Sequence, residues 1–177
     1  MNRGVEGAVL ITGVYGSGKS SVAQEIAYLL EEQNAPYALL DLDFLGWFDV
    51  GGEGGPTEQS VMLQNLAALV GNYSAVGVRF FVLAGAIRDA AELDDLKAEF
   101  PMPLRVVRLT VPLAEIEKRL RSDPTTSRRE DMREAAAWVA SSVGVGIEEA
   151  TVSNERPIRE VAKDIVGWLG WGDFAGT

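Results

Sequence analysis

One octapeptide constrains this chain more than any other feature: Gly13-Val14-Tyr15-Gly16-Ser17-Gly18-Lys19-Ser20, with the spacing G-x-x-x-x-G-K-[ST]. The apolar run Ala8-Val9-Leu10-Ile11 precedes it and stops at Thr12-Gly13, as a buried strand does. From Lys19 to about Glu32, apolar residues fall at Val22, Ile26, Leu29 and Leu30, one face of a helix. Asn34-Ala35-Pro36 ends that helix. Glycines in such a strand–loop–helix turn permit backbone conformations closed to other residues, so several N–H groups can converge on one anion. The helix N-terminus adds its positive end. The pattern predicts a phosphate cradle over Gly13, Tyr15, Gly16, Ser17, Gly18, Lys19, Ser20 and Ser21. Lys19 reaches the β- and γ-phosphates and the Ser20 hydroxyl suits Mg2+. The plainer reading, an ordinary glycine-rich turn, does not account for the strand and helix on either side.

Further strands are predicted at Tyr37–Leu40, Phe80–Ala84, Arg105–Val111 and, more weakly, Ile147–Val152. Helices are predicted at Thr57 to about Tyr73, Asp89–Phe100, Pro112 to about Arg121, Arg129–Ser142 and Pro157–Leu169. Gly51-Gly52-Glu53-Gly54-Gly55-Pro56 reads as a flexible loop. Strands alternating with helices mean right-handed crossovers and a parallel sheet covered on both faces, an α/β fold. The 177 residues suit one domain. Ligands then sit beyond the C-terminal strand ends, at Thr12-Gly13, Asp41-Leu42-Asp43, Gly85 and Thr110.

Composition narrows the chemistry. The chain has no cysteine and no histidine, which removes thiolate and imidazole metal sites, disulfides and histidine bases. Carboxylates, Lys, Arg, hydroxyls, backbone and a hard metal ion remain. The net charge of −10 argues against a nucleic-acid surface. No apolar run approaches a membrane span, and the first residues lack a signal-peptide layout, so a cytoplasmic location is expected.

Asp41 and Asp43 follow the second predicted strand at i, i+2 and would point the same way if the strand continued. Phosphoryl transfer to a hydroxyl needs an oxygen that orients or deprotonates the acceptor and a carboxylate near the metal. Asp43 is assigned to the acceptor and Asp41 to the metal with Ser20. The alternative is a solvated acidic turn.

Together these residues resemble the small P-loop kinases, which include adenylylsulfate, shikimate, gluconate and nucleoside-monophosphate kinases and related antibiotic phosphotransferases. The Walker A run Gly13–Ser20 is the specific match. Leu40-Asp41-Leu42-Asp43-Phe44 is similar to the adenylylsulfate kinase segment in which two acids flank a glycine, with Leu42 in the glycine's place. The resemblance implies a three-layer fold with a five-stranded parallel sheet in the order 2-3-1-4-5. It also implies a substrate-binding segment at about 44–73, holding Trp47, Phe48, Asn65, Asn72 and Tyr73, and a short arginine-bearing lid at about 119–130. The third strand ends in Gly85 and not in an acid, and the resemblance implies that the second-strand acids assume the metal role. Arg88 lies where such kinases hold a substrate anion or phosphate; pairing with Glu92 is the competing reading.

Lys118, Arg119, Arg121, Arg128, Arg129 and Arg133 concentrate six of the 16 basic residues in one stretch of an acidic chain. Arginine's rigid fork suits the oxygens of a transferring phosphoryl group, and Arg119 and Arg128 are the candidates for it. Salt bridges to Glu115, Glu117, Glu130 and Glu134 are the competing use. Asn154, at the corner after the fifth strand, borders the adenine in the family and otherwise caps the last helix. No Asn-Lys-x-Asp segment is present, so ATP is the expected nucleotide. The expected activity is an ATP- and Mg2+-dependent kinase acting on a hydroxyl or phosphate of a small molecule, with neither nucleic acid nor membrane as partner. The alternative is a non-kinase nucleotide switch acting on a protein. The Trp168-Leu169-Gly170-Trp171 cluster leaves internal packing and a homodimer patch both open.

Overall fold

The computed structural model describes residues 7–49, 57–122 and 128–172, without the side chains of 128–132 and 134. Five strands form one parallel sheet: β1 (Gly7–Thr12), β2 (Tyr37–Asp41), β3 (Phe80–Ala84), β4 (Leu104–Thr110) and β5 (Ala150–Ser153), in the order β2-β3-β1-β4-β5. Seven helices alternate with them: α1 (Lys19–Glu32), α2 (Leu42–Leu45), α3 (Glu58–Ala75), α4 (Ala90–Ala98), α5 (Leu113–Ser122), α6 (Arg128–Ser141) and α7 (Ile158–Leu169).

The strand alternation divides the apolar residues between two faces. Val9, Ile11, Phe80, Val82, Val107 and Leu109 point to one side, where α1 and α7 cover them with Val22, Ile26, Leu30, Val161 and Ile165. Ala8, Leu10, Phe81, Leu83 and Val106 point to the other, where α3 and α4 supply Leu66, Val70, Leu93 and Leu96. β1 is buried at every position because it lies in the middle of the sheet. The chain leaves β1 at the point where the strand order turns, and this opens a crevice beyond the carboxyl ends. A third, smaller cluster packs Ile116 and Leu120 of α5 and Ala135 of α6 against Val14, Tyr15 and Val111.

The predicted elements are present with small shifts at their ends. Asp89 and Thr57 cap α4 and α3, their side chains accepting the Glu92 and Ser60 N–H groups. β5 covers Ala150–Ser153 and not Ile147–Val152. α2 was not expected, and it alters the two acids: β2 ends at Asp41, so Asp41 and Asp43 do not continue one strand. The loop 51–56 and the break at 123–127, in the middle of the expected lid, lie outside the described residues. Trp171 packs internally against Phe80, ring centroids 5.2 Å apart, while Arg105 stacks on Trp168. No helix among the described residues is long and apolar enough to cross a membrane.

Candidate active site

The loop after β1 has the conformation its glycines allow. Gly13, Gly16 and Gly18 all have positive φ, and Gly18 is the left-handed residue from which α1 starts. A β-carbon on Gly18 would stand 2.5 Å from Asn154 Nδ2, and one on Gly16 would stand 2.9 Å from Ile116 Cγ2. No side chain caps α1 and its first turn holds no acid, so its N-terminal field is directed at the loop. Lys19 is 7% exposed; its ammonium donates to the Val14 carbonyl at 3.3 Å and lies over the Tyr15 ring. Ser17 is fully buried and its hydroxyl has no partner among the described residues. The donors and the glycine backbone fit a nucleotide's phosphates.

Ser20, on the first turn of α1, donates its hydroxyl to Asp41 Oδ2 at 2.8 Å. The other Asp41 oxygen accepts the Asp43 N–H at 3.1 Å and so caps α2. This cap turns the chain out of the strand and into α2, where Asp43 lines a cavity beside the loop. Withdrawal from water pushes the Asp43 carboxyl above its ordinary pKa; Lys19 opposes the shift and Asp41 adds to it. Ser20 and Asp41 offer a hydroxyl and a carboxylate, an all-oxygen pair suited to Mg2+, which takes few protein ligands beside phosphates. No group of three or more carboxylates placed to hold a metal occurs among the described residues. The β3 tip has no room for an acid: a β-carbon on Gly85 would meet Leu42 Cδ1 at 2.7 Å. The structure therefore supplies a carboxylate from β2 where β3 cannot.

Beside the loop is a cavity of about 300 Å3, bounded by Tyr15, Asp43, Trp47 and Arg88. Trp47 is 79% exposed and lies 6.0 Å from the Phe44 ring. The sequence reading did not single out Glu58 and Met62 of α3, Glu92 of α4 or Trp138 of α6 for this wall. Glu58 and Met62 are one helical turn apart, a spacing visible in the sequence only once the site is known to face α3. Asn65 does not line the cavity. Its amide donates to the Leu45 carbonyl at 2.8 Å and pins α2 to α3. Asn72 and Tyr73 lie further along α3, also outside the cavity lining. Arg88 lines the cavity, and its guanidinium contacts Glu92 at 3.4 Å.

Asn154 caps nothing; α7 begins after Pro157 without a side-chain cap. It is 2% exposed, and its amide donates to the Ser17 carbonyl at 2.8 Å. Arg119 holds the same corner, donating to the Asn154 carbonyl at 2.7 Å and the Ser17 carbonyl at 3.4 Å. Glu115 accepts from its Nε at 3.3 Å. Arg119 thus ties α5 to the phosphate loop and the β5–α7 corner. Ser21 is exposed on the first turn of α1. Arg128 opens α6, with its side chain outside the described atoms.

No protein-family model matches the chain, and no curated protein matches it. Solved structures do. A sugar kinase from Janibacter sp. is 16% identical, with a TM-score of 0.68 over 98% of this chain and 99% of that one. A gluconokinase from Sinorhizobium meliloti is 20% identical, with a TM-score of 0.61 over 94% and 93%. The APS kinase of Mycobacterium tuberculosis, in complex with AMPPNP and APS, is 20% identical, with a TM-score of 0.57 over 93% and 98%. At these identities the likeness is one of fold: the chain has the three-layer P-loop architecture of the small kinases.

Proposed function

We propose that the protein is an ATP-dependent kinase that transfers the γ-phosphoryl group to a hydroxyl of a small molecule. One observation carries the reading: Asp43 borders a cavity that adjoins the phosphate loop at Tyr15, while Lys19 is close enough to act on its charge. A nucleotide switch needs the loop; it does not need a second concave site with a carboxylate at the shared wall. The kinase structures of similar fold support the same reading.

In this reading, the loop N–H groups and Lys19 bind and orient the phosphates. Ser20 and Asp41 hold Mg2+, which when bound supplies charge neutralisation to the phosphate oxygens. Asp43 orients the acceptor hydroxyl and accepts its proton. Tyr15 and Trp47 enclose the acceptor and exclude water that would compete with it. Arg119 keeps the Ser17 carbonyl directed away from the phosphates. Most of the rate then comes from positioning and from fixed charge.

The test is ADP release from Mg-ATP in the presence of pooled hydroxyl-bearing metabolites. Acceptor-dependent release supports the kinase. Release that no acceptor stimulates supports a hydrolytic switch and overturns it. Lys19→Ala should lower acceptor-dependent turnover by ~100- to 1,000-fold, the scale of removing one preorganised charge from a transition state. Its circular dichroism should match that of the parent.

A further inference from the structure

The charge of the acceptor cavity separates classes of acceptor. This inference rests on the proposed kinase reading and extends it to the substrate. Three carboxylates line the cavity: Asp43 from α2, Glu58 from the first turn of α3 and Glu92 from α4. Arg88 is the one basic residue among the described lining residues. Among these residues, three acids against one base leave the wall at −2.

Arg88 is also already engaged. Glu92 accepts the Arg88 backbone N–H at 2.8 Å and contacts its guanidinium at 3.4 Å. The Glu92 side chain is 20% exposed and that of Arg88 is 68% exposed, so the acid is the better fixed of the two. Among the described residues, Glu58 makes no ion pair with a basic side chain. The remaining wall is aromatic, with Tyr15, Trp47 and Trp138.

A carboxylated or phosphorylated acceptor would place its anion against Glu58, which has no ion pair among the described residues, and beside Asp43, close to the phosphates being transferred. It would also have to displace Glu92 from Arg88. A protonated amine meets the opposite situation: a carboxylate to receive its N–H groups and ring faces whose negative quadrupole attracts a cation. We infer that the acceptor is a hydroxyl compound bearing a protonated amine, with Glu58 as the residue that selects its charge. Asp43 remains with the hydroxyl, and Trp47 or Trp138 covers the carbon frame.

The test uses two trios matched in carbon frame and differing chiefly in the charged group. One is D-glucosamine, D-glucose and D-glucuronate; the other is tyramine, tyrosol and 4-hydroxyphenylacetate. Each is titrated by calorimetry into the full chain at fixed salt, with Mg-ATP binding measured separately. In at least one trio the amine should bind about tenfold more tightly than the carboxylate, the scale of one charge-assisted contact. Glu58→Gln should reduce that ratio at least threefold, and Glu58→Lys should reverse it. Equal affinities, a preference for either carboxylate, no binding of either amine, or a ratio unmoved in Glu58→Gln each overturn the proposal. Failure of Mg-ATP to bind would instead remove the kinase reading and leave the charge ranking legible. A flat ranking with normal Mg-ATP binding removes the amine and leaves the kinase.

Discussion

Asp43 and Asp41 are two residues apart and do different work because a cap turns the chain between them. In the proposed reading Asp43 is the acceptor's base and must be ionised. Its pKa is raised chiefly by withdrawal from water, so the acidic limb of the rate profile should lie above the ordinary aspartate range. Asp43→Asn should abolish that limb and lower turnover by ~100- to 10,000-fold. The same shift acts on stability. A raised folded pKa means the native state holds this proton more tightly than the unfolded chain does. The ionised carboxylate therefore disfavours the fold above the folded pKa, and that cost disappears below the unfolded one. Asp43→Asn should be the more stable protein at neutral pH and should lose that advantage in acid, as read by chemical denaturation. Asn154 gives a second prediction at this scale. Asn154→Ala removes the amide that holds the Ser17 carbonyl and should cost ~1–3 kcal/mol of stability, with weaker ATP binding. The two residues also differ in how far the sequence reveals them. Glycine spacing announces the phosphate loop because few other residues can adopt its φ angles. Nothing near Asn154 in the chain announces a partner 137 positions away.

At the scale of elements, helix period and strand burial in the sequence anticipate the strands and long helices to within a few residues. α2 escapes because four residues complete barely one turn and show no period. It is held by the Asp41 cap at one end and, from α3, by the Asn65 amide on the Leu45 carbonyl at the other. The cavity wall escapes for a different reason. Glu58, Glu92 and Trp138 come from three helices, and only the packing of α3, α4 and α6 around the strand ends brings them together. α5 carries the prediction that belongs here. Its Arg119 joins three elements through two backbone carbonyls. Arg119→Ala should weaken ATP binding about tenfold, the scale of one lost charge-assisted bond. Arg119→Lys should restore only part of it, since an ammonium lacks the planar fork that spans both carbonyls. Equal ATP affinity in all three proteins, measured by titration, would show that the clasp does not shape the loop.

For the whole molecule, two cores on opposite sheet faces serve two halves of the site. The α1–α7 side carries the phosphate loop's helix, and the α3–α4 side carries the wall of the cavity bordered by Asp43. This division was legible because β1 and β3 are continuous apolar runs, the mark of strands covered on both faces. The third cluster was not legible, because it depends on α5 and α6 meeting the loop. Among the described residues it contains three buried apolar side chains, Ile116, Leu120 and Ala135, far fewer than either main core. So small a cluster is the natural seat of local unfolding. Val14 and Tyr15 of the loop belong to it, so opening α5 and α6 also loosens the phosphate cradle. Binding and local order are thereby linked thermodynamically. Saturating Mg-ATP should slow amide hydrogen exchange in α5 and α6 more than in β1 or β3, where exchange awaits global unfolding. The nucleotide-free protein would then breathe at its front edge while its sheet stays shut, and the nucleotide itself would act as the missing piece of that edge's core.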